Sequence, residues 1–238
     1  ATSAQISYTG TDIPANDRIA PDNAALVWET REGDKAPTLD YVGYSRNGYI
    51  VFKLGEATEG NAVVAAKNGA TTLWSWHIWT TAAFDRNGIK VQTYETRPRN
   101  DLASYADITK REFKMMDRNL GAASGKATKV AEEAIKTYGL YFQFGRKDPF
   151  PAAGVMTRTN DADIVPVYDA NGNKVLKNSN QIKNSAITTG IDQTAVKAQL
   201  AYAVENPLVF ILRDDNDKTA AYGGDGTNPS YNWIFAAH

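Results

Sequence analysis

The sequence predicts an α+β fold that is mostly β. An antiparallel β-sheet unit of sandwich-like character is expected over residues 1–105, and a half with two short helices and long loops over residues 106–238. Three observations carry this. Asn47-Gly48 and Asn68-Gly69 each separate two strand-like runs, and Asn-Gly is the strongest short hairpin signal because it tolerates positive φ. Apolar residues recur at helical spacing in only two windows, 129–138 and 192–204. Elsewhere the chain is rich in turn formers and aromatics, with 18 Gly, 12 Tyr, 8 Phe and 5 Trp, a composition of short strands and loops.

Bulk properties narrow the possible chemistry. A chain of 238 residues makes one large domain or two small ones. A net charge of −1 argues against a nucleic-acid or anionic-membrane partner, since either selects a basic face. With no cysteine, disulfides, thiolate metal sites and cysteine nucleophiles fall away. Apolar runs such as residues 61–66 are far too short to cross a bilayer. No signal peptide opens the sequence, so it reads as a mature form or a fragment.

Taken in order, residues 1–23 read as an extended lead-in with Pro14 and Pro21. Ala24 to Thr30 is the first strand, and Arg31 to Thr38 a turn region. Leu39–Tyr44 and Tyr49–Leu54 form a hairpin. Gly55 to Gly60 is a loop, and Asn61–Lys67 and Thr71–Trp79 form the second hairpin. Along that last strand, period-2 alternation puts Leu73, Ser75, His77 and Trp79 on one face and Trp74, Trp76 and Ile78 on the other. A strand apolar on both faces is expected to be covered on both. Its tryptophans therefore read as core, with a sugar-stacking platform as the alternative. His77 reads as a structural histidine rather than a catalytic one.

Short strands follow at Ile89–Tyr94 and Glu112–Met116. Lys129 to Tyr138 is the first helix, capped by Thr128 and ended by Gly139. Leu140 to Phe144 is a short aromatic strand or turn. Ile164–Tyr168 and Lys174–Leu176 pair as a surface hairpin across 169–173. That turn resembles the start of a calcium loop without the downstream bidentate Glu. Asp192 to Val204 is the second helix, stopped by Asn206-Pro207, and Leu208 to Leu212 is a strand.

Candidate site residues fall into three groups. Asp117, Arg118 and Asn119, and the turn with Gly145, Arg146 and Asp148, read as structural groups that stabilise loops, while Trp74, Trp76, His77 and Trp79 in the apolar strand read as structural core. Tyr222, Asp225 and Asn228, in a Gly/Asp/Asn-rich loop, are the candidate ligand contacts, because aromatic faces stack on sugars while carboxylates and amides bond hydroxyls. Asp214, Asp215 and Asp217 are a weak calcium set; no other cofactor is expected.

Four segments together resemble a known group. They are Glu59 to Lys67, Leu73 to Trp79, Met116 to Ala122, and Gly139-Leu140-Tyr141-Phe142-Gln143-Phe144-Gly145-Arg146-Lys147-Asp148-Pro149-Phe150. In this order they are similar to the C-terminal regions of Bacteroidota surface lipoproteins, many of which carry fimbrillin-like domains upstream. The second half resembles the major paralogous domain first described in Fibrobacter, whose fold is related to C-type lectin-like domains. The resemblance implies an incomplete C-type lectin-like domain over 106–238, truncated at its C-terminus. It also implies a Gram-negative cell surface, with attachment to the outer membrane through a lipid anchor outside this sequence. The expected activity is non-enzymatic adhesion or binding of a surface glycan or peptide. An accessory subunit of an outer-membrane nutrient-uptake complex is the first alternative, and a glycan-active enzyme the second.

Overall fold

The computed structural model describes residues 5–6, 12–13, 19–33, 35–81, 84–85, 88–89, 91–95, 112–126, 128–130, 133–134, 136–142, 146–150, 167–176 and 200–208. Antiparallel strands dominate them and helix is sparse. The strands are β1 (Gln5–Ile6), β2 (Asp12–Ile13), β3 (Asn23–Glu32), β4 (Ala36–Pro37), β5 (Leu39–Tyr44), β6 (Ile50–Leu54), β7 (Gly60–Asn68), β8 (Thr71–Thr80), β9 (Phe84–Asp85), β10 (Gly88–Ile89), β11 (Val91–Glu95), β12 (Glu112–Met116), β13 (Val167–Tyr168) and β14 (Lys174–Leu176).

The main sheet has the order β14-β13-β3-β7-β8, with β4 folded back on β3. Both Asn-Gly turns close as predicted: Gly48 and Gly69 sit at φ 84° and 55°, where a residue without Cβ is favoured. β7 carries Ala62 to Ala66 fully buried, as a central strand must when both its faces are covered. On one face, Leu39, Ala62 and Val64 form an apolar cluster with Leu26, Val42, Ile50 and Ile78 packed against it. This face is covered by the β5–β6 hairpin.

Register decides what reaches the other face. Directly paired residues share a face. In β3, Leu26 pairs with Val64 and Trp28 with Val63, so Val27 is a bulge residue. The bulge carries Trp28 onto the face of Val63 and of His77, which is Val63's partner on β8. Trp28 is fully buried there.

Several expectations change. β3 runs to Glu32 and pairs with β4, where a turn region was expected from Arg31. Leu73 is the bulge residue between the Ala66↔Trp74 and Lys67↔Thr72 pairs, so the alternation of β8 is interrupted at that point. Trp76 is 40% exposed, so the expected cover over that face of β8 is incomplete. The 89–94 segment is divided: β10 pairs with β9, and β11 with β12. The hairpin expected at the surface instead adds to the main sheet: Val167 pairs with Thr30 and Tyr168 with Glu29, and both new residues are buried. Its Asp169 side chain accepts bonds from the amides of Asn171 and Asn173, as in a plain turn. With β11 paired to β12 and β13 to β3, segments on both sides of the expected 105/106 division share sheets.

The helices are short where they are described. Around residues 133–134 there is one turn, with Ala134 N bonded to Val130 O and Thr128 Oγ1 accepting from Val130 N. Residues 200–205 are helical, and Asn206 N bonds back to Tyr202 O. Tyr141 bridges to Phe150 in isolation. The rest of the 192–204 window and the 209–212 segment lie outside the described residues.

Candidate functional site

Four groups of polar bonds organise the described part of residues 117–150, three of them reaching the main sheet or the loops at its strand ends and the fourth the 206–207 segment. The first centres on His77. Asn61 pairs with Trp79 one step along the ladder, so its amide reaches the His77 ring. Asn61 Nδ2 donates to the Gly121 carbonyl at 2.8 Å, which turns Oδ1 towards His77 Nε2 at 3.0 Å. An amide oxygen only accepts, so Nε2 carries the proton in the neutral ring. Burial pushes the His77 pKa down to about 4, against a smaller opposing pull from the Asp148 charge. A neutral ring with so low a pKa is a weak base at neutral pH. Gly121, at φ 83°, forms the turn that brings its carbonyl to Asn61.

The second group surrounds Ser75, which is 3% exposed. Its hydroxyl donates to Asp148 Oδ1 at 2.7 Å and accepts from Lys147 Nζ. Lys147 Nζ also donates to the Ser75 carbonyl at 3.1 Å and to both Asp148 oxygens, and lies 4.6 Å from the Trp74 ring centroid. Among the described residues β8 is the terminal strand of the sheet order, and this lysine bonds a carbonyl on that edge. Burial lowers the Lys147 pKa and the bond to Asp148 raises it. Serine beside lysine is a nucleophile pattern. Here the hydroxyl proton is committed to Asp148, and the oxygen lies under the 147–148 turn.

In the third group, Arg118 makes a fork on Asp117, with Nε at 2.8 Å and Nη2 at 3.2 Å. Nη1 donates to Thr81 Oγ1 and the Ala123 carbonyl, and Glu59 Oε1 stands 3.9 Å away. The Asp117 bond raises the Arg118 pKa. In the fourth, Arg146 donates to the Asn206 and Pro207 carbonyls and lies 4.8 Å from the Phe150 ring centroid. It thereby caps the 200–205 helix end. Burial lowers its pKa to about 10, so it remains a cation at neutral pH.

Beside this scaffold, at the end of β12, a cleft of about 520 Å³ opens between Met115 to Leu120, Ser124, Gly125 and Thr137. Gly125 is required there, because a Cβ would run into the Asp117 carbonyl oxygen. Among the described residues, no three His, Asp or Glu side chains stand together as a metal site.

The sequence-derived candidates thus separate. His77 and Asp148 come together behind the sheet, with Trp74 over Lys147 at its edge. Asp117, Arg118 and Asn119 line the cleft. Gly145, Asp214, Asp215, Asp217, Tyr222, Asp225 and Asn228 lie outside the described residues. Sequence reading missed Asn61, Ser75, Lys147 and Glu59 as partners. Glu29 was also missed: it is 1% exposed and binds Arg31 Nε and the Leu39 amide. Period-2 alternation already placed Ser75 beside His77; nothing local marks the others.

Comparison of the chain with protein-family models, with curated proteins and with solved structures returns no match.

Proposed function

We propose that this chain is a non-enzymatic binding or adhesion module of a Gram-negative cell surface, taking a glycan or peptide. One observation carries the binding part. The charged motif side chains are spent on bonds within the fold, while in the open cleft beside them Arg118 is engaged by Asp117 and Glu59. Such a site has contact surface without a poised acid and base. The surface location, the anchor outside this sequence and the C-type lectin-like assignment of residues 106–238 rest on the resemblance of the four motif segments. The test is saturable binding of the chain to arrays of glycans and of peptides. Turnover of an arrayed glycan, abolished by replacing a single carboxylate, would overturn the reading.

A further inference from the structure

Building on that binding reading, we propose that the cleft at the end of β12 takes an uncharged peptide segment. An apolar peptide side chain lies on Met115 and Met116, and peptide amides meet Asn119, Ser124 and Thr137. Three properties of the lining select this class.

Charge comes first. Arg118 is forked on Asp117, with Glu59 behind it, so among the described residues the cleft lining offers no open cation to an anion. An ionic ligand group would lose water there without gaining a counter-charge.

The polar groups come second. Asn119 Nδ2 donates to the Thr137 carbonyl, leaving Oδ1 as an acceptor without a partner among the described residues. Ser124 Oγ accepts from the Lys126 amide, which leaves its O–H to donate. Thr137 Oγ1 donates to the Ala134 carbonyl and keeps a lone pair. The free capacity therefore includes two donors, the Ser124 O–H and the second Asn119 N–H, with acceptor positions on Asn119 Oδ1 and Thr137 Oγ1, all neutral. That matches N–H and C=O groups along a peptide.

The apolar wall comes third. Its apolar lining is Met115, Met116 and Leu120, and the methionines' flexible thioether chains adapt to varied aliphatic shapes. A sugar is held best on an aromatic ring, and among the described residues no aromatic side chain lines this cleft. The volume of about 520 Å³ accommodates two or three residues of peptide.

The chain contains three methionines, Met115, Met116 and Met156, so methyl-¹³C methionine labelling reports on the cleft with one reference signal. The labelled chain is titrated with N-acetyl-leucine methylamide and, separately, with N-acetylglucosamine. The amide is expected to move the Met115 and Met116 signals saturably, and the sugar to leave them in place. Ser124→Ala should weaken the amide roughly three- to tenfold, the size of one neutral hydrogen bond. Met115→Lys, at a position 58% exposed and so tolerant of change, should block it with the fold intact. Cleft signals that ignore the amide, or that move only with the sugar, overturn the proposal. If the chain binds a ligand on the arrays and that ligand leaves both cleft methyls unmoved, the cleft is wrong while the binding reading stands. No array binding at all removes the binding reading itself.

Discussion

On one face of the main sheet, Leu26, Ala62, Val64 and Ile78 meet Leu39, Val42 and Ile50, contributed by a hairpin that follows β3 closely in sequence. On the opposite face, Asn61, which also bonds His77, and Ser75 meet Gly121, Lys147 and Asp148 through hydrogen bonds, with Lys147 and Asp148 themselves ion-paired. The two faces should fail differently. Apolar packing loses stability in proportion to the volume removed. A buried polar network loses more, because deleting one member strands its partners away from water.

The largest effect is expected from Asp148→Ala. It leaves Lys147 and the Ser75 hydroxyl without their shared acceptor, at a cost of about 3–5 kcal/mol in urea unfolding followed by tryptophan fluorescence. Next comes the acid arm of stability. The His77 pKa is 6.5 in an unstructured chain and about 4 when folded, so the unfolded state binds the proton first as pH falls. Stability is therefore full above pH 6.5 and declines towards pH 4, by on the order of 2–3 kcal/mol. His77→Asn should flatten that part of the urea-midpoint profile; an unchanged slope would place the titrating group elsewhere. On the apolar face, Val64→Ala removes two buried methyl-sized groups and should cost about 2 kcal/mol, with no added pH dependence. Smallest is Asp117→Ala, which opens the fork on partly exposed Arg118 at about 1–2 kcal/mol. It should lower the melting temperature before it affects ligand binding. Unchanged melting with lost binding would make Asp117 a ligand contact instead.

The same contrast explains what the sequence made legible. The β5–β6 and β7–β8 hairpins were readable because Asn-Gly turns fix register locally. β12 was placed at Glu112–Met116, bounded by a turn on one side. The Val27 and Leu73 bulges were not readable, since each exists only relative to a partner strand. Nor was the addition of β13 to β3, a pairing set by burial of Val167 and Tyr168 across a long stretch of chain. Of the polar face, alternation on β8 placed Ser75 and His77 side by side. The motif residues Asp117, Arg118, Arg146 and Asp148 stood out by their local pattern. Their partners Asn61, Glu59 and the Asn206 and Pro207 carbonyls are distant in sequence and come from ordinary strand and loop positions.

The most direct test of the claim that the tryptophan strand and the 146–150 turn hold the fold together is a double-mutant cycle between Ser75→Ala and Asp148→Ala, read by urea unfolding. Joined at 2.7 Å in a buried network that includes Lys147, the pair should show a coupling of about 1–2 kcal/mol. Additivity within about 0.5 kcal/mol would contradict it, because residues that do not touch give that result.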